Sequence, residues 1–300
     1  MAFSIFGGYD VRAVYPSQID GGKARRVGAA FGKFLEEKSV GTCMVSRDNR
    51  ASSELLQSAF IEGLAKHATV DAVNIGLAPS STLCFALLQN PSYAGASITA
   101  SHNPVKYNGI KFYSPGAVPL FAGELAKVKE SYEEISENIG KKNKINKNSF
   151  AAGKPVGKTK GKNFNAEHAE YCARHHKVSR KLKVVVDCGN SVCALVGPQM
   201  LEKMGCDVAP LFCELDGSFP NHLPDPHRRE NYSALREKVA EERADFGVMF
   251  DGDGDRAGFV DEKGGIIDCD FVHTIFLRDL LAKKKGAVAI LDLRLSRAVF

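Results

Sequence analysis

None of the eight cysteines in this 300-residue chain pair in a C-x-x-C spacing. That removes the commonest sequence signature of a zinc ribbon or a dithiol redox centre. Cys43, Cys84, Cys172, Cys188, Cys193, Cys206, Cys213 and Cys269 lie mostly in apolar, strand-like or helix-like surroundings. The expectation is buried free thiols in a reducing compartment rather than disulfides. Apolar runs are short as well; none approaches the ~20 residues of a membrane-spanning helix. The opening Met1-Ala2-Phe3-Ser4-Ile5-Phe6-Gly7-Gly8 has neither the basic start nor the long apolar core of a secretory leader. A soluble cytoplasmic protein is expected, with no membrane partner. Neither sign of charge is in large excess. The net charge of +5 is too mild to point to nucleic acid, because much of it sits in residues 141–162, which hold eight lysines and no acid. That segment reads as a solvated linker or mobile hairpin, with a phosphate- or polyanion-attracting arm as the alternative.

What is present is ordinary globular composition, 44% hydrophobic and 25% charged, and enough chain for about two domains of ~150 residues. Strand-like and helix-like segments alternate, which argues for an α/β fold with largely parallel pairing. Strands are expected at 41–46, 70–75, 94–99 and 110–113, and helices at 52–66, 80–88 and 121–139. The 52–66 segment carries Leu55, Leu56, Ala59, Phe60 and Leu64 near a 3.6-residue period. A second unit follows, with strands at 182–187, 206–211 and 246–250 and helices at 165–176, 192–204 and 231–243. From about Ala257 a third begins: a hairpin at 258–260 and 265–268, a helix at 271–283 and a strand at 287–291. The expected domains are therefore 1–150, 151–256 and an incomplete 257–300.

Two stretches carry the chemistry. Thr99-Ala100-Ser101-His102-Asn103-Pro104, followed by Tyr107-Asn108-Gly109-Ile110-Lys111, sets a hydroxyl just past the carboxyl end of a strand. Open α/β sheets place ligands there. Pro104 biases Asn103 towards extended backbone, so Ser101 sits on a constrained turn. A plain turn or helix-cap serine is the competing reading. His102 can act as acid or base or orient a phosphate oxygen. Lys111 can neutralise phosphate or move a proton, or it is a solvated strand residue. In Asp251-Gly252-Asp253-Gly254-Asp255-Arg256 alternate side chains point the same way. Three carboxylates on one side are costly unless a cation offsets them, and an all-oxygen set suits Mg²⁺ over zinc. Arg256 offers a fork for a phosphate or an aspartate. Both stretches end strands in successive α/β units, which suggests a site in the cleft between domains.

Two look-alikes fail. Asp251, Asp253, Asp255 and Glu262 match positions of an EF-hand loop, but Arg256 stands where glycine is needed and the flanks are strand-like. Gly153-Lys154-Pro155-Val156-Gly157-Lys158-Thr159 is one residue short of a P-loop and follows no strand. Tyr9-Asp10-Val11-Arg12 puts an arginine on a glycine-bearing turn within reach of a phosphate, or simply on the surface. Residues 216–226 form a long proline-rich loop, a kind that is often functional.

Together these motifs resemble the α-D-phosphohexomutase superfamily, and within it the phosphomannomutase/phosphoglucomutase group. The likeness covers essentially all 300 residues in order. It implies successive three-layer α/β domains with mixed, largely parallel sheets. It implies an isomerase that interconverts hexose 1-phosphate and hexose 6-phosphate through phospho-Ser101 and a hexose 1,6-bisphosphate. Ser101, Asp251, Asp253 and Asp255 would hold Mg²⁺. Lys111 would be acid or base, and His102, Asn103, Arg12 and Arg256 would serve the phosphate groups. Departures are Ala13, where the opening motif usually has glycine, and Ser191-Val192-Cys193-Ala194, which is less glycine-rich than usual. Family members have four domains, with sugar-reading residues in the third and a phosphate clamp in the fourth. The alternative expectation is therefore a truncated homologue or fragment that binds Mg²⁺ and sugar phosphate without full turnover. A slow phosphatase-like activity is a third.

Overall fold

A computed structural model describes residues 4–67, 69–143 and 158–299. Most of the lysine-rich stretch, and the choice between linker and arm, lies outside the described residues. The first body comprises β1 (Asp10–Val14), α1 (Gly21–Glu37), β2 (Thr42–Arg47), α2 (Ser53–His67), β3 (Asp71–Leu77), α3 (Ser80–Gln89), β4 (Ala94–Ile98), β5 (Tyr107–Ser114), β6 (Val118–Pro119), α4 (Ala122–Asn143) and β7 (Thr159–Gly161). The second holds α5 (Asn165–His175), β8 (Lys183–Asp187), α6 (Gly197–Met204), β9 (Asp207–Leu211), α7 (Ser233–Glu242), β10 (Phe246–Phe250), β11 (Ala257–Asp261) and β12 (Ile266–Ile267), with α8 (Cys269–Lys283) following.

The first sheet runs β1-β5-β4-β2-β3-β7, with β6 on β5. β4, β2, β3 and β7 are parallel neighbours, while β5 is antiparallel to both β4 and β1. β2 lies inside the sheet with both faces covered, so Cys43, Met44 and Val45 are buried in a row instead of alternating. Helices α1, α2 and α4 cover one face through Phe31, Phe34, Leu56, Phe60, Leu64, Leu125 and Val128. On the other face Leu83, Ala86 and Leu87 of α3 pack with Met44 and Ile75. This is a three-layer α/β/α body, as expected. The sequence reading passes over α1, because glycines 21, 22, 28 and 32 make its intrinsic helix propensity poor. Those small residues are what let it touch α2: a Cβ at Gly28 would lie 2.1 Å from the Phe60 carbonyl oxygen.

The second sheet runs β12-β11-β10-β8-β9, with β10, β8 and β9 parallel. Strand alternation divides its core. Val184, Val186 and Val248 face α6 with Cys188 and Cys193, while Val185 and Met249 face α7 with Leu235 and Val239. Three expectations are corrected here. The hairpin β11–β12 does not open a third unit; β11 pairs antiparallel with β10 and extends the second sheet. The helix expected over 192–204 is a short 3-10 turn, Val192–Leu195, followed by α6, because Pro198 in the first turn of α6 has no N–H to continue a helix through. Residues 287–291 form no strand; Val288 and Ile290 are exposed and no neighbouring strand pairs with them. In addition, β7 pairs with β3, so residues 159–161 belong to the first sheet.

The two bodies are tied at several points. Asn165 Nδ2 donates to the Leu77 carbonyl at 2.9 Å and Asn49 Nδ2 to the Asn190 carbonyl at 2.8 Å. The Ser80 N–H donates to the Asp253 carbonyl at 2.8 Å. All eight cysteines are free; Cys43, Cys188, Cys193 and Cys206 are buried, whereas Cys269 is exposed, against the expectation of burial. Among the described residues no helix is long and apolar enough to cross a membrane.

Candidate active site

β4 ends at Ile98 and the chain turns through Thr99–Lys106 before returning as β5. Ser101 is fully buried and its φ is +53°, the left-handed region that a residue with a Cβ adopts at a cost. Its N–H donates to Thr99 Oγ1 at 2.8 Å, and the Asn103 N–H closes the turn on the Ala100 carbonyl at 3.0 Å. β10 ends at Phe250, and Asp251–Asp255 meets this turn from the second sheet. The meeting is backbone to backbone, since a Cβ at Gly252 would lie 2.4 Å from the Ser101 carbonyl oxygen. Ser101 Oγ donates to Asp251 Oδ2 at 2.6 Å. The cleft expected from strand ends is therefore a direct contact between two loops 150 residues apart in sequence.

Asp251, Asp253 and Asp255 each offer an oxygen within 4.8 Å of the others. Asp251 and Asp253 are buried, Asp255 exposed. Ser80 Oγ, at the start of α3, donates to Asp253 Oδ2 at 2.6 Å. Lys111 Nζ lies 2.6 Å from both Asp253 Oδ2 and Asp255 Oδ2. Asp253 Oδ1 is buried and has no hydrogen-bond partner. A buried carboxylate oxygen without a donor, inside an all-oxygen cluster, fits a hard divalent cation. Burial, reinforced by the charges of Asp253 and Asp255, pushes the Asp251 carboxyl up to about 8. Burial acts the same way on Asp253, but the Lys111 charge and hydrogen bond outweigh it and hold that group below the usual carboxylate range. Lys111 is kept charged because the two aspartates overcome its desolvation.

The remaining expected residues converge on the same turn. Arg12, on β1, donates through Nη1 to Asn103 Oδ1 at 2.5 Å and to the Ala100 carbonyl at 3.2 Å. Asp10 accepts from Arg12 Nε at 2.8 Å. Arg256 Nη1 donates to His102 Nδ1 at 2.7 Å, and His102 Nδ1 is 3.2 Å from Ser101 Oγ. Burial and then the Arg256 charge lower the His102 pKa. A neutral ring accepting at Nδ1 is consistent with both effects. Every site residue expected from sequence is thus within one constellation.

Comparison with known proteins identifies the family of the two bodies. The family model described as phosphoglucomutase/phosphomannomutase, alpha/beta/alpha domain I, matches residues 4–139. The corresponding domain II model matches residues 164–265. The chain belongs to the α-D-phosphohexomutase superfamily. A phosphomannomutase/phosphoglucomutase of Pseudomonas putida is 36% identical over 98% of this chain and 60% of the relative. A phosphoglucomutase of Neisseria gonorrhoeae is 31% identical, again over 98% of this chain and 60% of the relative. The crystal structure of a phosphoglucomutase/phosphomannomutase family protein from Burkholderia thailandensis superposes with a TM-score of 0.83 at 30% identity, covering 94% of this chain and 60% of that one. The chain spans about 60% of the length of the relatives it matches.

The motifs legible in the sequence leave out several groups that build the site in this chain. Arg50, just past the carboxyl end of β2, is almost wholly buried and aims its guanidinium at the serine turn. Nη2 donates to the carbonyls of Ser101 at 2.8 Å and Asn103 at 2.6 Å. Nη1 donates to those of Pro104 at 2.9 Å and Tyr107 at 3.1 Å, and Nε pairs with buried Asp48 at 3.2 Å. Asp48 also accepts from Ser53 Oγ. Phe219 of the second body lies under the guanidinium, 5.1 Å to the ring centroid. Position could have flagged it: Asp48-Asn49-Arg50 follows a strand end, as Ser101 and Asp251 do. Cys193 Sγ donates to the Asp251 carbonyl at 3.3 Å, a contact with no signal in the sequence.

Proposed function

We propose that this protein carries out the serine chemistry of a phosphohexomutase: Mg²⁺-dependent exchange of a phosphoryl group between Ser101 and the C1 or C6 oxygen of a hexose phosphate, through a hexose 1,6-bisphosphate. The observation that carries the reading is the buried Ser101 hydroxyl donating to Asp251, in a three-aspartate cluster that holds one unpartnered oxygen. In the loading step Ser101 Oγ attacks a phosphorus of the bisphosphate. The Ser101 hydroxyl proton passes to Asp251 Oδ2, its acceptor at 2.6 Å, while a phosphorus–oxygen bond to Oγ forms and the bond to the sugar oxygen breaks. Lys111, kept charged by its two aspartates, gives a proton to the leaving sugar oxygen. In the reverse direction the same amine takes the proton from the attacking sugar hydroxyl. Arg12 and Arg256 face the phosphate oxygens, and Asn103 holds the Arg12 fork in place. His102, neutral and held by Arg256, orients the group on Ser101. Asp251, Asp253 and Asp255, with the serine oxygen, would hold Mg²⁺, whose charge offsets that of the transferring phosphoryl group. Oxygen-only donors support Mg²⁺ over softer metals. The first body supplies the serine and the lysine, and the second supplies the metal loop. The free thiols favour a reducing, cytoplasmic setting.

Intact mass and phosphopeptide mapping before and after incubation with glucose 1,6-bisphosphate and Mg²⁺ test the reading. One phosphate on Ser101, lost in Ser101→Ala and on chelation of the metal, is expected. A Ser101 that stays unmodified in the wild-type protein overturns it.

A further inference from the structure

His227 stands on the loop between β9 and α7, in none of the motifs used above. Its own body braces that loop. Asn231 Nδ2 donates to the carbonyls of Leu223 at 2.8 Å and Asp225 at 2.9 Å, and the Tyr232 hydroxyl donates to the Pro226 carbonyl at 2.9 Å. The buried Asp225 carboxylate takes the His227 backbone N–H at 3.1 Å and its ring Nδ1 at 3.2 Å. The ring is thereby fixed through Nδ1, and Nε2 is the nitrogen left for another partner. The side chain is 65% exposed, and its centroid is 5.9 Å from that of His102. His102 in turn has Nδ1 engaged by Arg256 and lies against Ser101 Oγ. Two imidazoles, one from each body, are thus neighbours, and the first of them lies against Ser101 Oγ. Arg256 and Arg12 lie behind His102, and Arg228, which leans on Asp225 at 3.4 Å, is next to His227.

We infer that His227 is a further phosphate-contacting residue, which reaches from the second body to the anionic oxygens of a sugar phosphate held over Ser101. Nδ1 is held at the Asp225 carboxylate, and Nε2 is the nitrogen offered to the phosphate. The Asp225 contact sets the angle of the ring, so the contact costs little side-chain ordering when the ligand arrives. The inference rests on the proposed function for the identity of the ligand, and binding separates the two. Because His227 is exposed and packs against no core, its variants keep the fold.

The experiment is calorimetric titration of glucose 1,6-bisphosphate, with Mg²⁺ present, into the wild-type, His227→Ala and His227→Gln proteins, alongside the Ser101 phosphorylation assay. Alanine is expected to weaken binding about tenfold, the loss of one hydrogen bond to a charged group at a partly exposed site. Glutamine, which keeps a donor near the place of Nε2, should stay within about threefold. At subsaturating glucose 1,6-bisphosphate the rate of Ser101 phosphorylation should fall in step with affinity in the alanine variant and much less in the glutamine variant. Equal affinity of the alanine variant and the wild type overturns the inference while leaving the proposed function standing. So does glutamine as weak as alanine. Binding that depends on His227 without phosphate on Ser101 overturns the proposed function and keeps the inference. No binding by the wild-type protein ends both.

Discussion

Replacing Arg50 with methionine removes the guanidinium while nearly keeping its volume, so the experiment reads charge and hydrogen bonding more than a cavity. The Arg50 and Asp48 side chains are each only 1% exposed. Without the guanidinium the Asp48 carboxylate keeps the Ser53 hydroxyl and the residue-50 backbone N–H but loses its cation and the Nε hydrogen bond, and four carbonyl oxygens lose the Arg50 donor. Removing one partner of a buried pair costs about 3–5 kcal/mol. A domain of this size loses about 2–4 °C of melting temperature per kcal/mol, so a fall of about 6–20 °C is expected. The sign with pH is fixed too. Burial already raises the Asp48 carboxyl against the opposing pull of Arg50. In the variant that opposition is gone and the pKa rises further. A folded-state pKa above the unfolded value gives stability that is present in acid and lost as pH rises. The deficit relative to the wild type should therefore be smaller near pH 5 than near pH 8. Differential scanning calorimetry of both proteins at the two pH values measures it. A deficit below about 1 kcal/mol, or one that does not grow with pH, would refute the assignment of Arg50 as the buried counter-charge that holds the Ser101 turn.

Two further outcomes follow from the aspartate cluster. The Asp251 carboxyl, pushed up to about 8 by burial and its neighbours, contributes stability that is lost as pH rises towards that value. The melting temperature of protein stripped of divalent metal should therefore fall between about pH 4 and about pH 8 and level off above that, while millimolar Mg²⁺ should restore more at the upper end than the lower. A flat profile in both conditions argues against the cluster. Lys111→Met removes a positive charge 2.6 Å from two of the proposed metal ligands. Mg²⁺ affinity, followed by calorimetry, should rise by about tenfold or more, while phosphorylation of Ser101 falls; weaker Mg²⁺ binding would contradict the geometry.

Much of this was readable from the chain alone, for reasons that differ between residues. Ser101 and the three aspartates were legible because each motif combines chemistry with glycine or proline at fixed offsets, and both follow apolar strands. Strand and helix positions through most of the first body followed from periodicity. What failed did so where tertiary contacts overrode local signals. α1 has four glycines and is a helix because its flank packs on α2. The hairpin after Ala257 looks the same in sequence whichever sheet it joins, and only its pairing to β10 decides. Residues 287–291 have strand composition and no pairing partner. Arg50 carries no signal beyond its place after a strand end, and His227 carries none; the carbonyls and the ring they meet belong to segments 51 to 125 residues away.

The carbonyl of Ser101 rests against Gly252, so hydroxyl and three-aspartate cluster meet only where the two sheets' loops touch. Under the proposed function, neither body holds the whole of the reactive machinery by itself. A separation of even one ångström would leave the serine an ordinary alcohol, and the aspartates an acidic turn with a lysine across it. In the proposed reaction, whatever loosens the junction would disarm both halves together.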